Sequence, residues 1–444
     1  MSTALSAPRH LNRRQSFGLA AWAVAGMGCG PRPSEPPAAA AQGAAAGPPA
    51  PPPPPPPFAG ISDPDVLRFY EARGWRPAWT PDLAGAFSKA AGDARRHGLD
   101  PAIFAPKAAN GADPTQRDIG LSVAAIRYAR ALASGFVDPR TVEKIFTLAR
   151  NEVDLAWGLE QALVAAKLAD WLASLAPTDP EYQALSAAWL AATDGESPPR
   201  DRARQLAANL ERRRWLSRAP PETRIDVNTA SCLMVYLRPG VDPWAARVVA
   251  GRAGHETPSI QGTFHRLVAN PPWRVPMDIA RKEILPKGGG YLSREHMRVV
   301  DGVVVQQPGP HSSLGVVKFD VEDPYEIYLH DTPSKSAFAL PERHRSHGCV
   351  RVQNAVGLAR LIAGQNGKAD EFDKALSGGK TVGVDIGEAI TVRLLYHTAY
   401  LGDDGRIAFA PDAYGWNDHL AEALGLGRAA GSANDQQTDT DVGP

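Results

Sequence analysis

Along the chain the spacing of apolar positions changes from helical to alternating. Val66, Leu67, Phe69 and Tyr70 open a helical pattern, and Leu121, Ala124, Ala125, Tyr128, Ala129 and Leu132 continue it. Residues three and four apart share one face of a helix, so these segments predict amphipathic helices packed on one another. An Ala- and Leu-rich helix is expected from Asp154 to Leu175, halted by Pro177. From Thr223 the period falls to two: Ile225, Val227, Leu233, Val235 and Leu237 sit in period-two positions, followed by the turn Arg238-Pro239-Gly240. Alternation of that kind predicts half-buried strands. Further on, a helix is expected over Ala355 to Ala363 and a strand over Ala389 to Tyr396, with Leu401 to Phe409 completing the same domain. The pattern therefore predicts an α+β chain, with an all-helical domain over 61–216 and a mainly β domain over 223–415. An insertion at about 271–306 combines Trp273, several prolines, the helix-like Ile279 to Ile284 and the run Gly288-Gly289-Gly290.

The two ends differ from this core. Arg13-Arg14 precedes a 12-residue apolar run from Phe17 to Gly28, which suits a signal peptide over 1–28 and is too short for an ordinary membrane-spanning helix. Ala25-Gly26-Met27-Gly28-Cys29 is similar to a lipoprotein processing site, so Cys29 is the expected lipidation site and an inner or outer membrane the expected anchor; ordinary cleavage near Ala25 would leave a soluble periplasmic product. Residues 29–60 are dominated by Ala, Pro and Gly, with an unbroken proline run from Pro51 to Pro57, a composition that predicts an extended disordered linker. The tail over 416–444 is expected to be mostly disordered.

Composition narrows the function classes. Lys plus Arg and Asp plus Glu both number 48, so the chain is formally neutral and lacks the basic excess that nucleic-acid binding demands. The cysteines are Cys29, Cys232 and Cys349, too few for a disulfide framework. Cys232 falls among apolar and small neighbours with no imidazole near it in sequence, and is read as packing.

Chemistry concentrates between Tyr328 and Asn354. His330 ends a predicted strand, Pro333 to Pro341 suits a loop, and Cys349 follows Gly348, which carries no Cβ where a substrate must approach. A thiol attacks as thiolate, and an imidazole able to take its proton is the common way to form one near neutral pH. His344, His347 and Cys349 also have ligand-type side chains, but structural zinc sites usually pair two short ligand clusters and no second cysteine cluster exists here, so no metal or cofactor is expected.

The run Ser346-His347-Gly348-Cys349-Val350-Arg351-Val352-x-Asn354, with His330 19 positions before Cys349 in Tyr-Leu-His-Asp, resembles the signature of the L,D-transpeptidases of peptidoglycan synthesis, the YkuD-type fold. Asn270-Pro-Pro-Trp273, Ile279 to Lys287 and Ser313-Leu-Gly315 resemble the lid-bearing YcbB-like subfamily, and Trp75 to Trp79 and Gly135 to Pro139 its N-terminal scaffold. The short interval between Leu185 and Ala203 leaves no room for the peptidoglycan-binding module found in many such relatives. The resemblance implies a mainly β catalytic domain with a lid at 271–306, Cys349 as nucleophile and His330 as general base. It places His347 and Gly348 at the turn, in orientation and the oxyanion hole. Arg351, Tyr328, Trp273, Lys282, Lys287 and Asn354 are the expected substrate contacts, and donor and acceptor stem peptides the expected partners. A thiol carboxypeptidase or amidase on the same stems, and an inactive envelope lipoprotein, are the alternatives.

Overall fold

A computed structural model describes residues 55, 58–107, 113–194 and 201–427. The signal peptide, Cys29 and most of the linker lie outside the described residues, as does the tail beyond 427. The chain divides after Pro52, and everything described here belongs to the second unit. No described helix is long and apolar enough to cross a membrane.

The N-terminal domain is built from α1 (Pro64–Ala72), α2 (Pro81–Gly92), α3 (Pro114–Ser134), α4 (Leu155–Val164), α5 (Leu168–Leu175), α6 (Pro180–Thr193) and α7 (Asp201–Trp215). Five of the seven start alike, with Asp or Thr accepting an N-terminal amide, which satisfies a donor that the helix itself leaves open, and four of those five carry proline in the first turn. The expected helix from Asp154 to Leu175 is two helices, because Ala166 takes a left-handed φ of 54° that breaks the ladder between α4 and α5. The linker also ends earlier than its composition implied: Phe58 is buried in a short 3-10 turn against Tyr70 and Trp75.

The second domain contains β1 (Arg224–Asn228), β2 (Leu233–Arg238), β3 (Val241–Gly251), β4 (Gln261–Ala269), β5 (Trp273–Arg274), α8 (Met277–Ile279), α9 (Gly289–Arg294), β6 (Met297–Val300) and β7 (Val303–Gln306). It continues with β8 (Val317–Phe319), β9 (Leu329–His330), β10 (His344–Ser346), β11 (Val350–Val352), α10 (Ala355–Gln365), α11 (Ala369–Ser377) and β12 (Val382–Leu395). Nine strands form one sheet in the order β10-β3-β11-β9-β8-β4-β12-β1-β2, and β2 also pairs with β3, so the sheet closes on itself. Its core packs Val350, Val352, Leu329 and Phe319 against Leu358, Ile362 and Phe372 of α10 and α11.

Two expectations about this domain are corrected. In β2 it is Met234 and Tyr236 that are buried, whereas Leu233 is exposed and Val235 and Leu237 are half-buried. Both sets alternate, so the sequence period is right and the inward face is the other one. The expected disordered tail begins as a helix: α12 (Trp416–Ala423), after the hairpin β13 (Ala399–Leu401) and β14 (Ile407–Phe409), packs Leu420 and the capping Leu424 into the helical domain's core. Trp416, Leu420 and Leu424 are four apart, and Arg204 and Arg212 of α7 bond Asp418 and Asn417 at 2.9 and 2.6 Å.

The insertion is a small body of its own. β5, β7 and β6 make a three-stranded antiparallel sheet, and Trp273, Val275, Ile279, Ile284, Met297 and Val304 form its core. The helix-like stretch is one α-helical turn followed by a π-helical turn, Ala280–Ile284.

Candidate active site

Strand alternation decides what faces the insertion. Leu329, Val350 and Val352 point into the sheet's core with α10, so Tyr328, His330 and Arg351 point the other way. Tyr328 accordingly packs on the insertion's core. In the ladder His330 lies opposite Arg351 on one side and Lys318 on the other, giving a row Lys318–His330–Arg351 across three strands. Cys349 precedes β11 in a bend, and its thiol shares a hydrogen bond with the Tyr328 side chain.

His330 is fully buried, and its Nδ1–H donates to the Asp331 carbonyl at 2.5 Å. That bond fixes the tautomer, so Nε2 carries the lone pair of the neutral ring. Asp331 is anchored in turn, accepting the Val316 amide at 3.1 Å and the Lys335 ammonium. Gly315 must be glycine for this packing, because its φ is +59° and a Cβ would stand 2.3 Å from Asp331 Oδ2.

Cys349 is 7% exposed, with Sγ 3.7 Å from the Glu326 carbonyl. Burial pushes its thiol up to about 11, against the opposing pull of Tyr328 and the Lys318 cation. Lys318 Nζ sits 4.2 Å from the centre of the Tyr328 ring and 3.0 Å from Asp320. Sequence reasoning missed Lys318, although Val317-Lys318-Phe319 is an alternating triplet that sends the lysine to the face opposite its apolar neighbours.

Gly348 takes a φ of +119°, open to glycine and strained for other residues. Its amide donates to Ser346 Oγ at 3.1 Å, Ser346 Oγ donates to the Cys349 carbonyl at 2.6 Å, and its own carbonyl accepts Thr257 Oγ1 at 2.7 Å. The Gly348 amide is thus engaged inside the turn. His347 turns to the insertion, its Nε2–H donating to Glu283 Oε1 at 2.7 Å.

The other expected substrate contacts, Arg351 apart, lie outside the row. Trp273 is 1% exposed in the insertion's core, where it supports Tyr328 from behind. Asn354 caps α10, accepting the Gly357 amide at 3.3 Å from a left-handed φ of 54°. Lys282 and Lys287 are exposed on the insertion, and the Lys287 ammonium covers Tyr291 of that same body at 4.6 Å. Arg351 is 2% exposed within the row. The three side chains weighed as metal ligands do not converge, since His344 turns away to Glu342, Thr229 and Cys232.

Cys232 is not simple packing. His344 Nε2, 112 positions away, lies 3.6 Å from its sulfur and donates to the Thr229 carbonyl at 2.9 Å, while Nδ1–H donates to Glu342 Oε1 at 2.5 Å. Both nitrogens face acceptors, so the ring is an imidazolium. A cleft of about 1410 Å³ lies away from this face, between the helical domain and β1–β2. Its arginines are largely committed: Arg213 pairs with Asp179 at 2.6 Å, and Arg224 and Arg393 pair with Asp226 at 2.9 and 2.6 Å.

Comparison with known proteins agrees with this division of the chain. Residues 64–188 match the family model of a scaffold domain, and residues 222–379 that of an L,D-transpeptidase catalytic domain. A protein of Haemophilus influenzae described as "Putative L,D-transpeptidase" is 29% identical over 242 residues, which cover 49% of this chain and 48% of the relative. The chain thus spans about half the length of that curated relative.

Proposed function

We propose that this chain, whose residues 222–379 match the family model of an L,D-transpeptidase catalytic domain, is a periplasmic L,D-transpeptidase that cross-links peptidoglycan stem peptides through a Cys349 thioester. The observation that carries the reading is the shared face: thiol, Tyr328, His330 and Arg351 all lie on the side of the sheet that the insertion covers.

With the thiol near 11, the thiolate fraction at neutral pH is only about one part in ten thousand, so a base must take the proton as the substrate is attacked. His330 Nε2 is the base. The sulfur then adds to the carbonyl joining the stem's third residue to its terminal D-residue. The amides of His347 and Cys349 remain as oxyanion donors once that of Gly348 is accounted for. The protonated imidazole gives its proton to the departing amine, and terminal D-alanine leaves. An amine of a neighbouring stem next attacks the thioester and yields its proton to His330, restoring the thiol and forming a 3-3 or 1-3 link. One amide is exchanged for another, so neither ATP nor a metal enters the balance. Arg351 and Lys318 give this face the positive charge that a stem's carboxylates require.

Export and a lipid anchor at Cys29 complete the proposal and would concentrate the enzyme beside its substrate. The test is intact-mass measurement after carbapenem treatment, together with muropeptide mass spectrometry on defined stems. One adduct on wild type, none on Cys349→Ser, and cross-linked dimers from wild type alone are expected. A Cys349→Ser variant that still forges links would overturn the mechanism, and release of D-alanine without dimers would reassign the chain as a carboxypeptidase.

A further inference from the structure

The reaction as derived gives no task to Glu283, in the π-helical turn of the insertion. Its carboxylate is nevertheless where three elements meet. Oε1 accepts His347 Nε2–H at 2.7 Å from the Cys349 turn and Arg252 Nη2 at 3.3 Å from the end of β3. His255, just beyond β3, sets its ring edge-on to His347 with centres 4.8 Å apart. The His347 side chain is 1% exposed. Burial alone would raise the Glu283 carboxyl, but the His347 hydrogen bond and the Arg252 charge outweigh it and hold the group below its ordinary value. Glu283 is therefore an ionised acceptor in a place that two donors occupy.

Two histidines and a carboxylate with ligand atoms within 4.8 Å of one another also have the makings of a metal centre. Arg252 argues against it. Its guanidinium can only donate, and Nη1 lies 3.5 Å from His347 Nδ1, which assigns the remaining ring proton to Nε2, aimed at Glu283. A cation there would have to expel that proton, place an N–H against the arginine and sit beside a permanent positive charge.

The turn that Glu283 grips is braced from the sheet side by Ser346 and Thr257, and through His347 Glu283 ties it to the insertion. Residues 347–349 form a bend rather than a ladder, and Gly348 contributes no side chain. We propose that Glu283 is a positioning residue: acting through His347, it locks the insertion onto the Cys349 turn, so that covering a bound stem peptide and aligning the thiol are one event. The inference rests on the transpeptidase reading for its chemistry and on the Glu283–His347 contact for its geometry.

A double-mutant cycle on the full chain tests it. Glu283→Ala and His347→Ala are each expected to slow carbapenem acylation of Cys349 about tenfold, and the double variant also only about tenfold, because both remove one contact. Glu283→Gln, which keeps an acceptor without the charge, is expected to recover part of the loss. Iodoacetamide, small enough not to need the insertion, should alkylate Cys349 within roughly threefold of the wild-type rate in all variants, a result that a collapsed turn would not give. Losses that multiply to about a hundredfold, or single variants that acylate like wild type, would overturn the proposal. So would one equivalent of Zn²⁺ bound by wild type and lost in Glu283→Ala. If wild type itself is not acylated, the transpeptidase reading falls instead. The latch is then read from hydrogen exchange of the 279–284 amides, which must quicken equally in both single variants and the double variant; unchanged exchange overturns it.

Discussion

The pH dependence of Cys349 alkylation in the substrate-free protein is the most direct check on the electrostatics of the site. Burial is the main cause of a thiol near 11, and it acts by removing water from the thiolate. At pH 8 the reactive fraction is then about one part in a thousand, and each pH unit below the midpoint changes it tenfold. The alkylation rate, scored at Cys349 by peptide mass mapping so that Cys232 does not interfere, should rise with unit slope from pH 7 to 10. Lys318→Met adds a second arm. The lysine is among the groups pulling the thiol down, but its side chain is 24% exposed and paired with Asp320, so its removal should raise the midpoint by roughly half a unit and slow alkylation about threefold at every pH below it. Lys318→Arg should restore the rate. A rate that levels off between pH 7 and 8 would mean a thiolate–imidazolium pair exists before substrate arrives, and would refute the burial argument.

Other outcomes follow from the same structure. Burial would lower His344, but Cys232 and Glu342 raise it to about 10, and the His344 hydrogen bond holds Glu342 at about 2. The histidine's contribution is complete below about 6.5 and lost as pH rises through 10; the glutamate's is complete above about 4.5 and lost as pH falls through 2. Glu342→Gln should therefore cost about 1–2 kcal/mol, discounted because Glu342 is 44% exposed, with the largest Tm difference from wild type between those two limits and a shrinking one towards pH 10. Gly315→Ala drives a Cβ into Asp331 at a positive φ, and urea unfolding should show a loss of about 2–3 kcal/mol with slower acylation, since Asp331 anchors His330. Leu420→Ala empties a fully buried position between α12 and the helical domain and should cost about 2–4 kcal/mol in the same assay; an unchanged midpoint would return the segment to a disordered tail.

Periodicity and the Tyr328–Asn354 motif determined the larger part of this protein: a helical domain, then a β-rich one, with a histidine and a cysteine on a strand end and a glycine turn. Those features are local, since a helix face or a strand alternation is written within a dozen residues. Alternation could not say which face of β2 turns inward, because Leu233, Val235 and Leu237 are as apolar as Met234 and Tyr236, and closure of the sheet through the β2–β3 pairing made the choice. Nor could it show that His344 reaches Cys232 across 112 positions, or Glu283 reaches His347 across 64. Such pairs carry no spacing of their own. Tertiary structure alone brought them together, because the closed sheet and the folded insertion bring separate strand ends to one place, and there a buried imidazole must find an acceptor whatever its distance along the chain.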